Sequence, residues 1–200
     1  MFLIQQGEFV CNKPMGRGVY TWPDGNSYEG EVYSGIRHGS GTYKCTKNYL
    51  SYKGQWYQGE RHGKGTVYYN EDKTSWYKGE WMKNNREGWG VRCYPSGNIY
   101  SGEWKNNMRH GEGTMKWLKQ GQEYVGTWQD GVQVSPSHST LSRKKSVLCG
   151  SKGKFTFTDG RVFEGEFVDD QMMTPSLRAP TPLGKKKPIC WCIQDTLGDH

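Results

Sequence analysis

One glycine-centred motif recurs at nearly even spacing along this chain of 200 residues, and its period constrains the fold more than any other feature. In each copy the glycine stands in the setting aromatic-x-Gly-Glu-aromatic or a close variant of it. The steps between successive glycines are 23, 24, 25, 23, 24 and 39 residues. The glycines are Gly7, Gly30, Gly54, Gly79, Gly102, Gly126 and Gly165. A period of about two dozen residues predicts an array of stacked structural repeats.

The composition favours β-structure for these repeats. Hydrophobic residues make up only 33% of the chain, yet aromatic residues make up 14%, with 9 Trp, 13 Tyr and 28 Gly. A core of large flat rings over glycine-rich backbone suits a thin β-sheet, whereas a helical bundle would need more Ala, Leu and Ile. The sequence therefore predicts an all-β fold.

Each repeat has the pattern of an antiparallel β-hairpin. Residues 19–22 are β-branched or aromatic, residues 23–26 have the Pro-Asp-Gly-Asn chemistry of a turn, and residues 27–32 are extended again. The same pattern is found at residues 41–56, 65–81, 90–104, 113–128 and 153–167. We therefore expect one hairpin in each repeat.

The connection between successive hairpins has a fixed length. The step from the glycine of the Gly-Glu pair to the next Gly-x-Gly motif is 9 residues in every intact copy. Five residues after the Gly-Glu glycine, each copy has a residue that tolerates the left-handed backbone conformation. These residues are Asn12, Gly35, Gly59, Asn84, Asn107, Gly131 and Asp170. We predict a tight turn with one positive φ at this position, held by packing between neighbouring hairpins.

Alternate positions on the second strand of a hairpin form an aromatic–glycine–aromatic line, as in Tyr52, Gly54 and Trp56. We expect the ring of a neighbouring hairpin to fill the gap left by each glycine. The glycines with this structural role are Gly30, Gly54, Gly79, Gly102, Gly126 and Gly165. The rings either pack within the array or bind a partner, and both alternatives stay open. The candidates for a partner interface are Trp56, Trp81, Trp104 and Trp128.

The period breaks after Gly131, which divides the chain into four predicted parts. Residues 1–131 form the array, and residues 132–152 are an irregular basic linker. Residues 153–170 are an isolated repeat, and residues 171–200, which hold four of the eight prolines, are predicted to be disordered. Either the chain joins non-adjacent parts of a longer array or the linker is a genuine insertion, and the sequence leaves both open.

Charge and side-chain chemistry give no indication of catalysis. The excess of the net charge of +7 lies outside the repeats, which is weak evidence for nucleic acid binding. His38, His62 and His110 share one repeat position, and no carboxylate or thiol joins them at ligand spacing. None of the Gly-x-Gly motifs continues as a phosphate-binding loop. We expect no enzyme activity, no cofactor, no metal site and no nucleic acid partner.

The recurring unit resembles the MORN repeat, whose core is roughly Tyr-x-Gly-Glu-Trp-x-x-Gly-x-x-His-Gly-x-Gly. The pattern is present at residues 28–41 and again at residues 100–113. The resemblance covers residues 5–131 and 153–170. It implies an elongated, twisted, single-layer sheet of antiparallel β-hairpins, about 60 Å long for about six repeats.

Three stretches resemble a narrower family, the ciliary radial spoke head ten homologue B proteins. They are residues 18–25, 88–94 and 107–113, and they include the off-consensus residues Trp89 and Cys93. This resemblance implies a non-catalytic structural scaffold in the radial spoke head of motile cilia and sperm flagella. It also implies a location in the cytoplasm, cytoskeleton and axoneme, with other radial spoke head proteins as partners and self-association as a further option.

Two alternatives to the spoke-head function remain at the level of sequence. The first is a membrane-associated MORN module that binds acidic phospholipids, which the short basic runs at residues 143–145 and 185–187 favour only weakly. The second is an accessory array for an enzyme that is carried on another chain. Phospholipid is therefore the less favoured of the expected partners.

Overall fold

A computed structural model describes the fold of residues 3–134 and 153–173. All regular secondary structure in these residues is β-strand, in agreement with the all-β prediction. The strands are β1 Leu3–Val10, β2 Lys13–Thr21, β3 Ser27–Tyr33, β4 Ile36–Lys44, β5 Ser51–Tyr57, β6 Glu60–Tyr68, β7 Trp76–Met82, β8 Asn85–Cys93, β9 Ile99–Lys105, β10 Met108–Trp117, β11 Gln122–Gln129, β12 Val132–Val134, β13 Gly153–Thr156, β14 Val162–Val168 and β15 Gln171–Met173.

These strands form one open antiparallel sheet in which neighbours in sequence are neighbours in space. The order runs from β1 to β11 and continues with β13, β14 and β15, while β12 also pairs with β11. At about 4.8 Å per strand, the sheet extends over about 65 Å. Within the described ranges no second layer covers either face, so burial must be achieved within a single sheet.

Two-residue turns, which we call the inner turns, join β1 to β2, β3 to β4 and each later pair of this kind. Both residues of such a turn have positive φ, for example Ser34 at 50° and Gly35 at 80°. This is the geometry of a type I′ hairpin turn. The sequence predicted the second positive φ of each turn and missed the first.

Hydrogen bonds stack each inner turn on the one before it. The second turn residue donates its backbone N–H to a carbonyl near the start of the preceding even-numbered strand, as Gly59 does to Arg37 at 2.9 Å. The same bond joins Gly35 to Pro14 at 2.9 Å and Gly131 to Arg109 at 3.0 Å. A stacked turn cannot change length without losing this bond, which explains the fixed nine-residue step.

The region predicted as a linker contributes to the sheet. Val132–Val134 form β12 and pair with the end of β11, while Gly153–Thr156 form β13 and pair with its beginning. The two short strands together occupy the place of one full strand. Residues 135–152 lie outside the described part of the chain. The predicted linker therefore needs correction at residues 132–134, because they are a strand of the array.

The repeat at residues 153–170 is in register with the array and is not isolated. Gly153 pairs with Gly165, as Gly41 pairs with Gly54 in a regular repeat. This continuity favours a genuine insertion within one array. The predicted disordered tail also needs correction at its start, because Gln171–Met173 pair with β14, and the rest of that prediction lies outside the described residues.

Aromatic side chains bury one face of the sheet, which we call the ring face. The tyrosines that begin the recurring motif are 0–1% exposed, namely Tyr28, Tyr52, Tyr77, Tyr100 and Tyr124. The Tyr28 hydroxyl lies against both Gly30 on its own strand and Gly41 on the next strand. A ring on the same strand thus fills the gap at the Gly-Glu glycine. The prediction that a ring from a neighbouring hairpin fills this gap is wrong.

Candidate interaction surfaces

The repeat glycines predicted to be structural lie where a side chain would collide. A Cβ built on Gly102 would lie 2.5 Å from the Cα of Gly113 on the facing strand and 2.6 Å from the Tyr100 hydroxyl. At Gly165 the obstacle is only the Phe163 ring, at 2.5 Å. Such a Cβ meets an atom closer than 3.0 Å at Gly30, Gly54, Gly79, Gly102, Gly126 and Gly165. A Cβ at these positions would force a neighbour to shift, and at Gly30, Gly54, Gly79 and Gly102 the nearest neighbour is backbone.

The four tryptophans predicted as interface candidates are buried on the ring face. Exposure is 5% for Trp56, 4% for Trp81, 3% for Trp104 and 2% for Trp128. Each indole stands edge-on between two tyrosines, as the Trp104 ring does at 5.2 Å from both its own-strand tyrosine and the tyrosine of the preceding repeat. Each indole N–H donates to a glycine carbonyl at 3.2 Å. These rings have no surface left for a partner, which corrects the interface prediction.

Arginines cover the indole rings. The guanidinium carbons of Arg37, Arg61, Arg86 and Arg109 lie 4.4–4.6 Å from the ring centroids of Trp56, Trp81, Trp104 and Trp128 in that order. Each arginine also donates through Nη2 to a backbone carbonyl of the next inner turn. Burial lowers the pKa of Arg37 and Arg61. Sequence reasoning missed this role, although an arginine two residues before the Gly-x-Gly motifs that begin at Gly39, Gly63, Gly88 and Gly111 was the available signal.

The glutamate of the Gly-Glu pair has a structural role that sequence reasoning also missed. The first glycine of each Gly-x-Gly motif has a positive φ, as Gly111 has at 54°, and the strand pairing shifts there to form a β-bulge. Glu103 Oε1 accepts the backbone N–H of Glu112 beside this bulge at 3.1 Å. Gln55 accepts the N–H of Lys64 in the same way at 2.7 Å. The side chain after the Gly-Glu glycine therefore closes the bulge.

The buried tyrosine hydroxyls are structural groups. Each donates to the carbonyl three residues later on its own strand, at 2.7–3.1 Å. Burial raises the pKa of these hydroxyls far above the usual tyrosine value. A hydroxyl that stays protonated and is already hydrogen-bonded is not available as a base near neutral pH.

The described residues offer no ready ligand set for a metal ion. No group of three or more His, Cys, Asp or Glu side chains comes together in residues 3–134 and 153–173. His38 and His62 lie beside tyrosine rings, and His110 Nδ1 lies 3.8 Å from Asp130 Oδ1. The same residues contain no helix that is long and apolar enough to cross a membrane.

The second face of the sheet, which we call the open face, carries exposed apolar side chains near the inner turns. Exposure is 62% for Tyr33, 51% for Ile36, and 50% for both Tyr57 and Met82. Histidine rings lie between the tyrosines, with centroid distances of 6.1 Å from Tyr33 to His38 and 5.2 Å from His38 to Tyr57. We call this group the turn-side row, and its members are Tyr33, Ile36, His38, Tyr57, His62 and Met82.

A cavity of about 440 Å³ lies near the beginning of the array. Its walls include Trp22, Tyr43 and Arg37, together with Asp24 and Asn26 from the loop between β2 and β3. The polar groups are already engaged, because Asn26 donates to Asp24 Oδ2 at 2.8 Å and Arg37 donates to a backbone carbonyl at 3.0 Å. The cavity therefore offers aromatic walls more than polar groups to a ligand.

Comparisons with known proteins agree with this architecture. The chain matches the family model described as MORN repeat at residues 6–27, 28–48, 52–72, 77–99 and 100–121, which is more than half of its length. It is 28% identical to mouse alsin over 195 residues, covering 84% of this chain and 10% of alsin, and human alsin gives the same values. Rat alsin is 40% identical over 45 residues, covering 22% of this chain and 3% of the relative.

The chain thus spans only about 10% of the length of the first of these curated relatives. Repeats of the matched family generally form non-catalytic structural modules that interact with proteins or membranes. The hairpins from β2 to β9, with their paired glycines and the buried tyrosines from Tyr28 to Tyr100, lie within the matched residues. On this evidence the chain belongs to the MORN repeat family.

Proposed function

We propose that this chain is a non-catalytic scaffold that binds other proteins through the open face of its sheet. The observation that carries the proposal is the turn-side row, where Tyr33, Ile36, Tyr57 and Met82 are 50–62% exposed on neighbouring hairpins. Aromatic side chains and methionine are enriched at protein interfaces. Because the ring face already buries its own aromatics, the open face is the side that has apolar surface to offer.

The structure behind the turn-side row suits a scaffold. Stacked inner turns fix the distance from one hairpin to the next, and the interlocked rings of the ring face resist sliding of the strands. Tyr33 on β3 and Tyr57 on β5 are two strand spacings apart, so these rings repeat at about 10 Å along the array. A partner can therefore be held at several regularly spaced contacts.

We also propose that the scaffold serves in the radial spoke head of motile cilia and sperm flagella. Support comes from the resemblance at residues 18–25, 88–94 and 107–113. Within the second stretch, Trp89 lies on the open face and is 52% exposed. The expected location is the axoneme within the cytoplasm and cytoskeleton, with other radial spoke head proteins, or further copies of this chain, as partners.

Chemical cross-linking in isolated axonemes tests both parts of this proposal. The wild-type chain is expected to cross-link to other radial spoke head proteins, and the double variant Tyr33→Ser/Tyr57→Ser is expected to lose most of these cross-links. Tyr49→Ser is the matched control, because Tyr49 is 55% exposed and lies outside the row. Absence of wild-type cross-links would contradict the spoke-head function, and equal cross-linking by the double variant would contradict the assigned face.

Binding of acidic phospholipids is the competing hypothesis, and vesicle flotation separates it from protein binding. Vesicles that contain phosphoinositides are mixed with the full chain and with a variant in which the basic residues at 143–145 and 185–187 are replaced by serine. The scaffold proposal expects no flotation of either protein. Flotation that survives the loss of both basic runs would replace it with a lipid-binding sheet.

A further inference from the structure

The open face carries a second apolar group, which lies in the middle of the array. We call it the Trp89 patch, and its members are Tyr68, Trp76, Trp89, Val91, Cys93 and Ile99. Strand pairing places Trp76 opposite Tyr68 on one side and opposite Cys93 on the other, while Cys93 in turn faces Ile99. Directly opposite side chains on one face of a sheet are in contact distance, so the patch runs across four strands.

Trp89 is the most exposed member of the patch, at 52%. It is the middle residue of a Gly-x-Gly motif, and the same position in the other repeats is occupied by Arg17, Ser40, Lys64 and Glu112. The fold therefore does not require an aromatic ring there. A half-exposed indole at a position where the fold does not require one is available to a partner.

Four glutamates occupy strand positions near Trp89 on the open face. Glu103 lies directly opposite Trp89 on β9, and Glu80 and Glu87 face each other one step along the strands. Glu112 lies beside the bulge on β10, and the backbone N–H of Glu112 donates to Glu103 Oε1 at 3.1 Å. Within residues 3–134 and 153–173, none of these four carboxylates forms an ion pair.

Three lysines lie around this surface. Lys64 is opposite Glu80 and Lys78 is opposite Val91. The Lys73 ammonium lies 5.5 Å from the Tyr68 ring centroid, on the side of the patch away from the four carboxylates. No cationic side chain of the described residues lies over the Trp89 ring. By contrast, an arginine lies at 4.4–4.6 Å from each of the rings of Trp56, Trp81, Trp104 and Trp128. The patch therefore combines an uncovered indole with an excess of negative charge.

We propose that the Trp89 patch binds a positively charged segment of a partner protein, in which a Lys or Arg side chain stacks on the Trp89 indole. This inference rests on the proposed scaffold function and names the chemistry of one partner. A cation over an indole ring is stabilised by the ring quadrupole, and nearby carboxylates add charge complementarity. The same carboxylates repel phosphate groups, so an anionic lipid surface or a nucleic acid does not fit this patch.

Fluorescence anisotropy with a synthetic peptide tests the proposal on the full chain. The probe is a labelled 12-residue peptide of alternating arginine and serine, and the matched control has glutamate in place of arginine. We expect only the arginine peptide to bind, and Trp89→Ala to weaken its affinity about fivefold, the size of one exposed cation–π contact. Trp89 lies outside the core, so the melting temperature of this variant is expected to equal that of the wild type.

A second variant separates charge from stacking. Glu87→Gln/Glu103→Gln is expected to weaken binding at least about fivefold, and Gln55 shows that glutamine can close the bulge that Glu103 closes. Glu29→Gln, on β3 away from the patch, is the control and is expected to bind as the wild type does.

Three results would overturn this inference. The first is failure of the arginine peptide to bind, and the second is equal affinity of the wild type and both patch variants. The third is that Trp89→Ala abolishes vesicle flotation or dimer formation. That result would identify a lipid or a second copy of this chain as the occupant. Failure here is distinguishable from failure of the scaffold function, because that function is tested through Tyr33 and Tyr57 in the turn-side row.

Discussion

In the regular repeats, an arginine near the start of β4, β6, β8 and β10 stacks on a tryptophan of the next strand. In the last repeat, Gln133 stands at the arginine position and Phe167 at the tryptophan position. The backbone around them is nevertheless the same. Gln133 N–H donates to Asp170 Oδ1 at 2.7 Å, as Arg86 N–H donates to Asn107 Oδ1 at 2.8 Å. The turn bond is therefore kept where the arginine–tryptophan stack is lost.

The two regions also differ in strand continuity. In the regular repeats β4, β6, β8 and β10 run unbroken through a bulge, while β12 and β13 divide the corresponding strand between them. The ring packing survives this division, because Tyr124 and Phe167 lie 4.8 Å apart, edge to face. Inner turns and rings over glycine are thus sufficient to extend the sheet, and the bulge and the arginine stack add to a structure that forms without them.

The largest expected effect comes from adding one methyl group at equivalent glycines of the two regions. Gly102→Ala brings a Cβ within 2.5 Å of the Gly113 backbone, whereas Gly165→Ala meets only the Phe163 ring. We expect Gly102→Ala to cost about 3 kcal/mol, a fall of about 6–12 °C in melting temperature. Gly165→Ala is expected to cost less than about 1 kcal/mol, because a ring can shift where backbone cannot. Thermal unfolding followed by circular dichroism measures both, and equal losses would show that the two glycines are packed alike.

The second test restores strand continuity in the last repeat. In a regular repeat Gly39 and Ser40 connect the two halves of the strand, and residues 135–152 stand in their place in the last repeat. Replacing residues 135–152 with Gly-Ser is expected to stabilise the chain by about 2 kcal/mol, because a shorter connection between β12 and β13 costs less entropy to close. A lower melting temperature than that of the wild type would mean that the insertion itself contributes to stability.

The sequence predicted the hairpins and the turn positions because these depend on local chemistry. Asn84 and Gly59 tolerate positive φ wherever they occur, and the fixed step to the next motif locates them in every repeat. The first turn residue was missed, since Gln58 at 49° and Lys83 at 47° are not residue types that favour positive φ. They adopt it because a type I′ turn is the two-residue connection that matches the twist of the strands.

What the sequence could not predict depends on contacts between repeats. Alternation places Trp104 and Glu103 on opposite faces, but it does not say which face of a single layer is covered, so the burial of Trp104 came only from the structure. The arginine stack likewise joins residues of different repeats. The sequence left a genuine insertion and a join of non-adjacent parts both open, because the long step between Gly126 and Gly165 does not show that the strand register is unchanged.

The third test asks how much the arginine–tryptophan stack contributes to a regular repeat. The double variant Arg86→Gln/Trp104→Phe gives that repeat the side chains of the last one. Arg86 is 7% exposed and lies 4.6 Å from the Trp104 ring, so we expect Arg86→Gln to cost about 1–2 kcal/mol. A double-mutant cycle in urea is expected to give a coupling energy of about 1 kcal/mol. Fully additive losses would mean that the two side chains stabilise the sheet independently.

The smallest expected effect concerns the charge in the last inner turn. Burial raises the pKa of the Asp170 carboxyl, so the folded chain holds this proton more tightly than the unfolded chain does. The stability that this group contributes is therefore fully present below the ordinary carboxyl pKa of about 4 and is lost as the pH rises through the raised folded pKa. At neutral pH this turn holds an ionised carboxylate, whereas Asn84 and Asn107 occupy the same turn position without a charge.

We accordingly expect Asp170→Asn to raise the stability at pH 7 by on the order of 0.5 kcal/mol, because the turn bond to Gln133 is kept and a partly desolvated charge is removed. The gain should shrink toward zero at pH 3.5, where the native carboxyl carries its proton and resembles the amide. Unfolding curves of both proteins at the two pH values measure this difference, with Asp169→Asn as the neighbouring control. If Asp170→Asn stabilises the chain as much at pH 3.5 as at pH 7, the stabilisation comes from the geometry of the amide and not from the loss of a charge. The last repeat and the regular repeats would then not differ in the electrostatics of their inner turns.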